Sequence, residues 1–211
     1  MKHASAYSRG AGTIFANGVL YRNPLLVGAL GLYPVVAAAA GVRSAAELSL
    51  LFLLVSLPAD LVLCLCGMLV PQWFRPGLAL LVSAVFYLPA ASVTGLVFPG
   101  FESELGMAAG LMICNSAAFS RAEEYAPGHV VLAAAADALG TAVGFAAVVF
   151  LTAVLRELWL RGEVRISQAV PERGGAALPF AGFLIVGFLA ALVQWIGLRR
   201  SDKAQSGRGN A

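Results

Sequence analysis

The chain has 211 residues, 60% of them hydrophobic and 12% charged, with a mean hydropathy of +0.84. Soluble domains carry about twice that charged fraction, so this composition excludes a water-soluble globular class and describes a membrane protein, whose lipid-facing side chains need no polar coat. A net charge of +3 and a pI near 9.0 do not signal nucleic acid, because the basic residues gather near the ends and in one loop, where positive charge orients a membrane protein.

A bilayer is crossed by about 20 apolar residues. Breaks at charges, Pro and Gly divide this chain into six such segments, at 25–41, 46–70, 77–98, 104–120, 129–155 and 178–198. Residues 1–24 form a leader in which Ile14, Phe15, Val19 and Leu20 share one helical face. It reads either as an interfacial helix or as a disordered start. Lys2, Arg9 and Arg22 ahead of an apolar run ending in Ala37–Ala40 have the outline of a signal peptide. Pro34 interrupts that run and the leader is long, so an uncleaved first span is expected.

The second segment carries Asp60 just behind Pro58, and Cys64 and Cys66 near its end. After the third segment the acidic link FPGFESE (98–104) separates two sets of three. The fourth segment is interrupted by Cys114-Asn115-Ser116, as the first is by Gly31-Leu32-Tyr33-Pro34, and these two segments are also the short ones. Asp137 lies in the fifth segment, a loop with four arginines precedes the sixth, and residues 199–211 form a basic tail. Three spans per half force the halves to insert with opposite orientation. The expected fold is therefore an all-α integral membrane protein of six transmembrane helices in two inverted three-helix repeats, with the first and fourth spans short or broken. Short, interrupted segments at corresponding positions of such halves point to a functional site between them.

With six spans both termini share a side, which collects Lys2, Arg9, Arg22, Arg75, Arg121, Arg199, Arg200, Lys203 and Arg208. The opposite side holds Arg43, Arg156, Arg161, Arg165 and Arg173. Both termini are expected in the cytoplasm, in a bacterial-type inner (plasma) membrane. Trp73, Trp159 and Trp195 fall near span ends, where an amphipathic ring prefers to sit.

The three cysteines all lie within apolar segments, the only histidines are His3 and His129, and no CxxC occurs. Neither a disulfide framework nor a zinc site is expected. Asp60 and Asp137 are costly in hydrocarbon unless paired, protonated or wet, which makes them candidates for an ion path. The plainer alternatives are that Asp60 serves backbone donors freed at Pro58 and that Asp137 lies near the headgroups. Asn115 and Ser116 read either as interhelical hydrogen-bonding residues or as part of a midplane site. Gly106-xxx-Gly110 and Gly140-xxx-Gly144 read as close-packing faces. Arg121, Glu123, Arg156 and Glu157, at span ends, read as interfacial anchors or ion pairs. No nucleophile-base pair or phosphate loop accompanies any of them, so the chain is expected to be non-catalytic on its own.

Four stretches, GVLYRNPLLVGALGLYP (18–34), VPQWFRP (70–76), ICNSAAFSRAEEYA (113–126) and DALGTAVGFAAVVFLTAVLREL (137–158), resemble the paralogous six-span subunits of Rnf and Nqr complexes, closest to the RnfE/NqrD-like branch. The resemblance implies a subunit of a membrane complex that couples electron transfer from reduced nicotinamide or ferredoxin to sodium or proton movement. It also implies an oppositely oriented paralogue as partner, with a [2Fe-2S] centre held between the two by one cysteine from the first and one from the fourth span of each.

At those positions this chain has Tyr33 and Ser116. It resembles a divergent member, expected to hold no iron–sulfur cluster of its own. The alternative is a cluster shared with a paralogous subunit. Cys114 precedes Ser116 by two positions, about 200° away on a helix but on the same side of an extended backbone. Two further readings stay open: a stand-alone inverted-repeat secondary transporter, and a non-redox assembly or scaffold paralogue.

Overall fold

A computed structural model describes residues 14–15, 19, 24–28, 30–38, 41–124, 130–161 and 182–195. Every regular element among the described residues is helical. Three helices are long and apolar enough to cross a membrane: α3 (Val42–Cys66), α4 (Arg75–Val97, extended back to Gln72 by a short 3-10 turn) and α8 (Val131–Arg161). At 1.5 Å per residue the 25 residues of α3 reach roughly 37 Å, more than a hydrocarbon core of about 30 Å. The remaining elements are shorter. α1 (Pro24–Gly28) and α2 (Leu32–Ala38) divide the first apolar segment. α5 (Phe101–Leu105), α6 (Met107–Gly110), a 3-10 turn (Leu111–Cys114) and α7 (Ser116–Glu124) make up the fourth. α9 (Gly182–Trp195) is the last described helix.

The core is the α3–α8 pair, the most extensive helix contact among the described residues. Both helices have apolar side chains around most of their circumference, as a helix packed on several sides requires. Phe52 and Phe145 stack between them with ring centroids 4.1 Å apart and planes 9° from parallel, flanked by buried Leu48, Leu51, Val148 and Val149. Val42 and Ala46 share a crevice with Phe150, whereas Ala59 and Leu63 pack with Ala134 at the other end. The two helices therefore run antiparallel.

α4 packs on α3 but keeps Leu81, Leu88 and Leu96 exposed, a face for lipid or another subunit. α9 lies against the first segment: the Gln194 amide Nε2 donates to Leu26 O at 3.4 Å, and Gly182 approaches the Val36 backbone.

Several helix ends differ from the expected segments, two of them by carrying charged residues into the helices. The second segment begins at Val42 instead of 46, because Ala45 N–H already donates to Gly41 O at 3.0 Å. The fifth runs on to Arg161 instead of stopping at 155, carrying Arg156 and Glu157 within the helix. Most of the leader, the loop at 162–181 and the basic tail lie outside the described residues.

Candidate functional site

The first apolar segment breaks where α1 ends at Gly28 and α2 begins at Leu32. Gly31 has φ +71°, a left-handed conformation open to glycine at no steric cost. In the fourth segment the 3-10 turn ends at Cys114, Asn115 is extended (φ −69°, ψ 113°) and α7 starts at Ser116. Asn115 caps that helix: its Oδ1 accepts the Ala117 N–H at 2.9 Å, and its Nδ2 contacts Met112 Sδ at 3.4 Å. An Asn side chain here satisfies a backbone donor that the break leaves free.

The two breaks meet. Gly31 N–H donates to Ser116 Oγ at 2.8 Å, and a Cβ on Gly31 would lie 2.5 Å from Asn115 Oδ1 and 3.1 Å from Ala117 Cβ. α1 lies beside α7 and α2 beside α6, so the two interrupted segments cross antiparallel with their breaks at the crossing. Asn115 is turned inward at 3% exposure, whereas its neighbours Cys114 and Ser116 are exposed and Tyr33 is 51% exposed. The extended backbone at Asn115 produces that alternation. The crossing thus presents a phenol, a thiol and a hydroxyl on its outer surface.

Those donors do not fit an iron–sulfur centre. Such clusters take thiolates, and the positions in question supply Tyr33 and a Ser116 whose oxygen already accepts a backbone hydrogen bond. Cys114 is the one thiol near the crossing. Among the described residues no group of three or more His, Cys, Asp and Glu stands close enough to hold a metal ion.

Asp60 on α3 and Asp137 on α8 are both buried. Each lies eight residues from its partner in the Phe52–Phe145 stack, so the antiparallel register sets the two carboxylates at the same level of the helix pair. Arg156 and Glu157, expected as interfacial anchors or ion pairs, are buried as well, because α8 continues past them. Arg156 donates to Val36 O at 2.9 Å, tying α8 to α2, and neither carboxylate oxygen of Glu157 has a hydrogen-bond partner. The side chains of Arg121 and Glu123 lie outside the described residues. Sequence reasoning missed a cluster at the start of α3, where Arg43 meets Glu47 and Glu104. Its only sequence signal was an opposite-charge pair four residues apart.

Residues 11–193 match the Rnf-Nqr subunit family of membrane proteins. The chain belongs to that family. This Rnf-Nqr subunit is 31% identical over 211 residues to the E subunit of the ion-translocating oxidoreductase complex of Edwardsiella ictaluri, covering 92% of this chain and 89% of the relative. It is 27% identical over 207 residues to the protein of the same name from Aliivibrio fischeri, with 90% and 91% covered. A third relative is the E subunit of the Na(+)-translocating ferredoxin:NAD(+) oxidoreductase complex of Acetobacterium woodii, 24% identical over 182 residues, with 84% and 93% covered. The interrupted segments and the crossing they form thus lie within the matched part of this Rnf-Nqr subunit.

Proposed function

We infer that this chain is the E-type membrane component of an ion-translocating, electron-transferring complex. Its likeness to the E subunits of three such complexes, over most of its length, supports that reading. The observation that carries it at the level of residues is the crossing of two broken segments, one from each half of the chain, tied by Gly31 N–H to Ser116 Oγ. Broken segments meeting between halves are how inverted-repeat membrane proteins build a site away from both surfaces. On this reading the chain has six spans in two inverted halves and sits in the inner (plasma) membrane with both termini in the cytoplasm. It contacts lipid and other Rnf/Nqr-like subunits, foremost an oppositely oriented paralogue against the Tyr33–Cys114–Ser116 surface. It brings no pair of cluster thiolates to that partner. Asp60 and Asp137, buried at one level of the core pair, supply the candidate ion path, since buried carboxylates in a membrane span mark such paths.

The test is isolation of the tagged full chain from its own membranes in mild detergent. Co-elution of flavin-carrying and ferredoxin-like subunits, and loss of electron-transfer-driven ion uptake by vesicles on deleting the gene, are the expected results. A chain that elutes alone, with uptake unchanged by the deletion, overturns the reading.

A further inference from the structure

At the end of the bundle where α3 begins, one guanidinium holds two carboxylates. Arg43 Nε lies 3.0 Å from Glu47 Oε1, one turn along α3, and 3.0 Å from Glu104 Oε2 on α5. Arg43 Nη2 donates to Pro99 O at 2.9 Å. Burial deepens inward: the side chain of Arg43 is 34% exposed, that of Glu104 20% and that of Glu47 0%. A guanidinium Nε carries a single hydrogen, and here it is donated to Glu47. Glu104 Oε2 therefore stands beside the cation without a hydrogen bond, and the second oxygen of Glu47 is likewise buried with no hydrogen-bond partner.

Two carboxylates against one guanidinium leave a net negative charge, and an uncompensated buried charge is strongly destabilising. Among the described residues, Arg43 is the cation ion-paired with either carboxylate. Among the described side chains, the other charged groups at this end, on elements packed against α3, are Glu102 on α5 and Arg156 and Glu157 on α8. Arg156 donates to the Val36 carbonyl, α2 carries no charged residue, and α4 brings the phenol of Tyr87 to this end.

A metal ion is a poor neutraliser, because it would have to sit between carboxylates that a guanidinium already touches and would be repelled by it. A proton needs no coordination shell. Placed on one carboxyl, it removes the excess charge and turns a bare oxygen into an O–H donor for the other.

We propose that Glu47 and Glu104 form a proton-binding site, the pair sharing one proton at neutral pH while Arg43 balances the remaining carboxylate. The proton comes from water at the exposed Glu104 edge and returns there. The site lies apart from the crossing of the broken segments and does not depend on the electron-transfer reading.

The experiment uses the full chain reconstituted in lipid vesicles and infrared difference spectroscopy of the carbonyl band that only a protonated carboxyl gives. At neutral pH the wild type should show one protonated carboxyl more than Glu104→Gln, since the other buried acids cancel in the subtraction. Glu47→Gln should give the same loss, and either variant suffices if the other does not accumulate. Arg43→Gln should add a second protonated carboxyl. In wild-type protein labelled with isotopic glutamate, the shifted band should disappear on raising the pH. Equal bands in wild type and both Gln variants would mean that both carboxylates are ionised, and would sink the proposal. A band that vanishes when sodium replaces potassium at constant pH would assign the charge to a metal ion and overturn it as well.

Discussion

At the scale of single residues, the crossing rests on one glycine and one hydroxyl. Gly31→Ala places a Cβ 2.5 Å from Asn115 Oδ1 at a φ of +71°. The left-handed conformation alone costs about 1–2 kcal/mol for a residue with a side chain, and the close approach adds to it. Ser116→Ala only leaves the Gly31 N–H without its acceptor, a loss of about 1 kcal/mol. Thermal denaturation in detergent should therefore rank wild type above Ser116→Ala and Ser116→Ala above Gly31→Ala; a Gly31→Ala protein as stable as wild type refutes the crossing. Iron and sulfide assays on the isolated chain should find no stoichiometric cluster, because thiolate at two positions is replaced by a phenol and an engaged hydroxyl. A cluster that is present and is lost in Cys114→Ala would show that the neighbouring thiol substitutes. Both breaks were legible in the sequence, from Gly-Leu-Tyr-Pro and Cys-Asn-Ser. The bond that joins them was not, since a hydrogen bond between residues 85 apart leaves no local signature.

At the scale of elements, the long helices were legible because lipid imposes a length and an apolar composition that no soluble helix needs. Their pairing was not, as helices apolar around most of their circumference have no single face to read. The α3–α8 pair depends on the Phe52–Phe145 stack, and lipid solvates apolar side chains about as well as protein does, so packing and not hydrophobic transfer holds it together. Phe52→Ala should cost roughly 2–3 kcal/mol, below the soluble-core value for the same truncation, read as a lower midpoint of detergent denaturation. A change within error would place the rings outside the core. The same register sets Asp60 level with Asp137. Asp60→Asn and Asp137→Asn should each cut ion uptake while the protein still inserts and accumulates, and normal uptake in both would remove the ion-path reading. The burial of the charges at the end of α8 was not legible, because the segment was expected to end at 155 and the helix runs on, carrying Arg156 and Glu157 within it.

At the scale of the whole molecule, topology turns on parity. The three long helices alone would put the two ends of the chain on opposite sides of the membrane. The 14 described residues of α9 rise only about 21 Å and do not span a core of about 30 Å without their flanks. The first and fourth segments, however, cross each other at their breaks. Each half-helix there is too short to span alone, so the two segments either both traverse the bilayer or both turn back within it. If both traverse and the last segment does too, the count is six and the termini share a side. On the proposed reading that side is the cytoplasm, since Lys and Arg are in excess at the ends. Lys2→Cys and Lys203→Cys, each placed in a variant in which Cys64, Cys66 and Cys114 are replaced by Ala, should then react with a membrane-impermeant maleimide in inside-out vesicles and be protected in right-side-out ones. Opposite labelling of the two positions would give an odd count. Because the first and fourth segments traverse or turn back together, an odd count would mean that the last segment does not cross, and the six-span inverted arrangement would fall while the Gly31–Ser116 crossing stands.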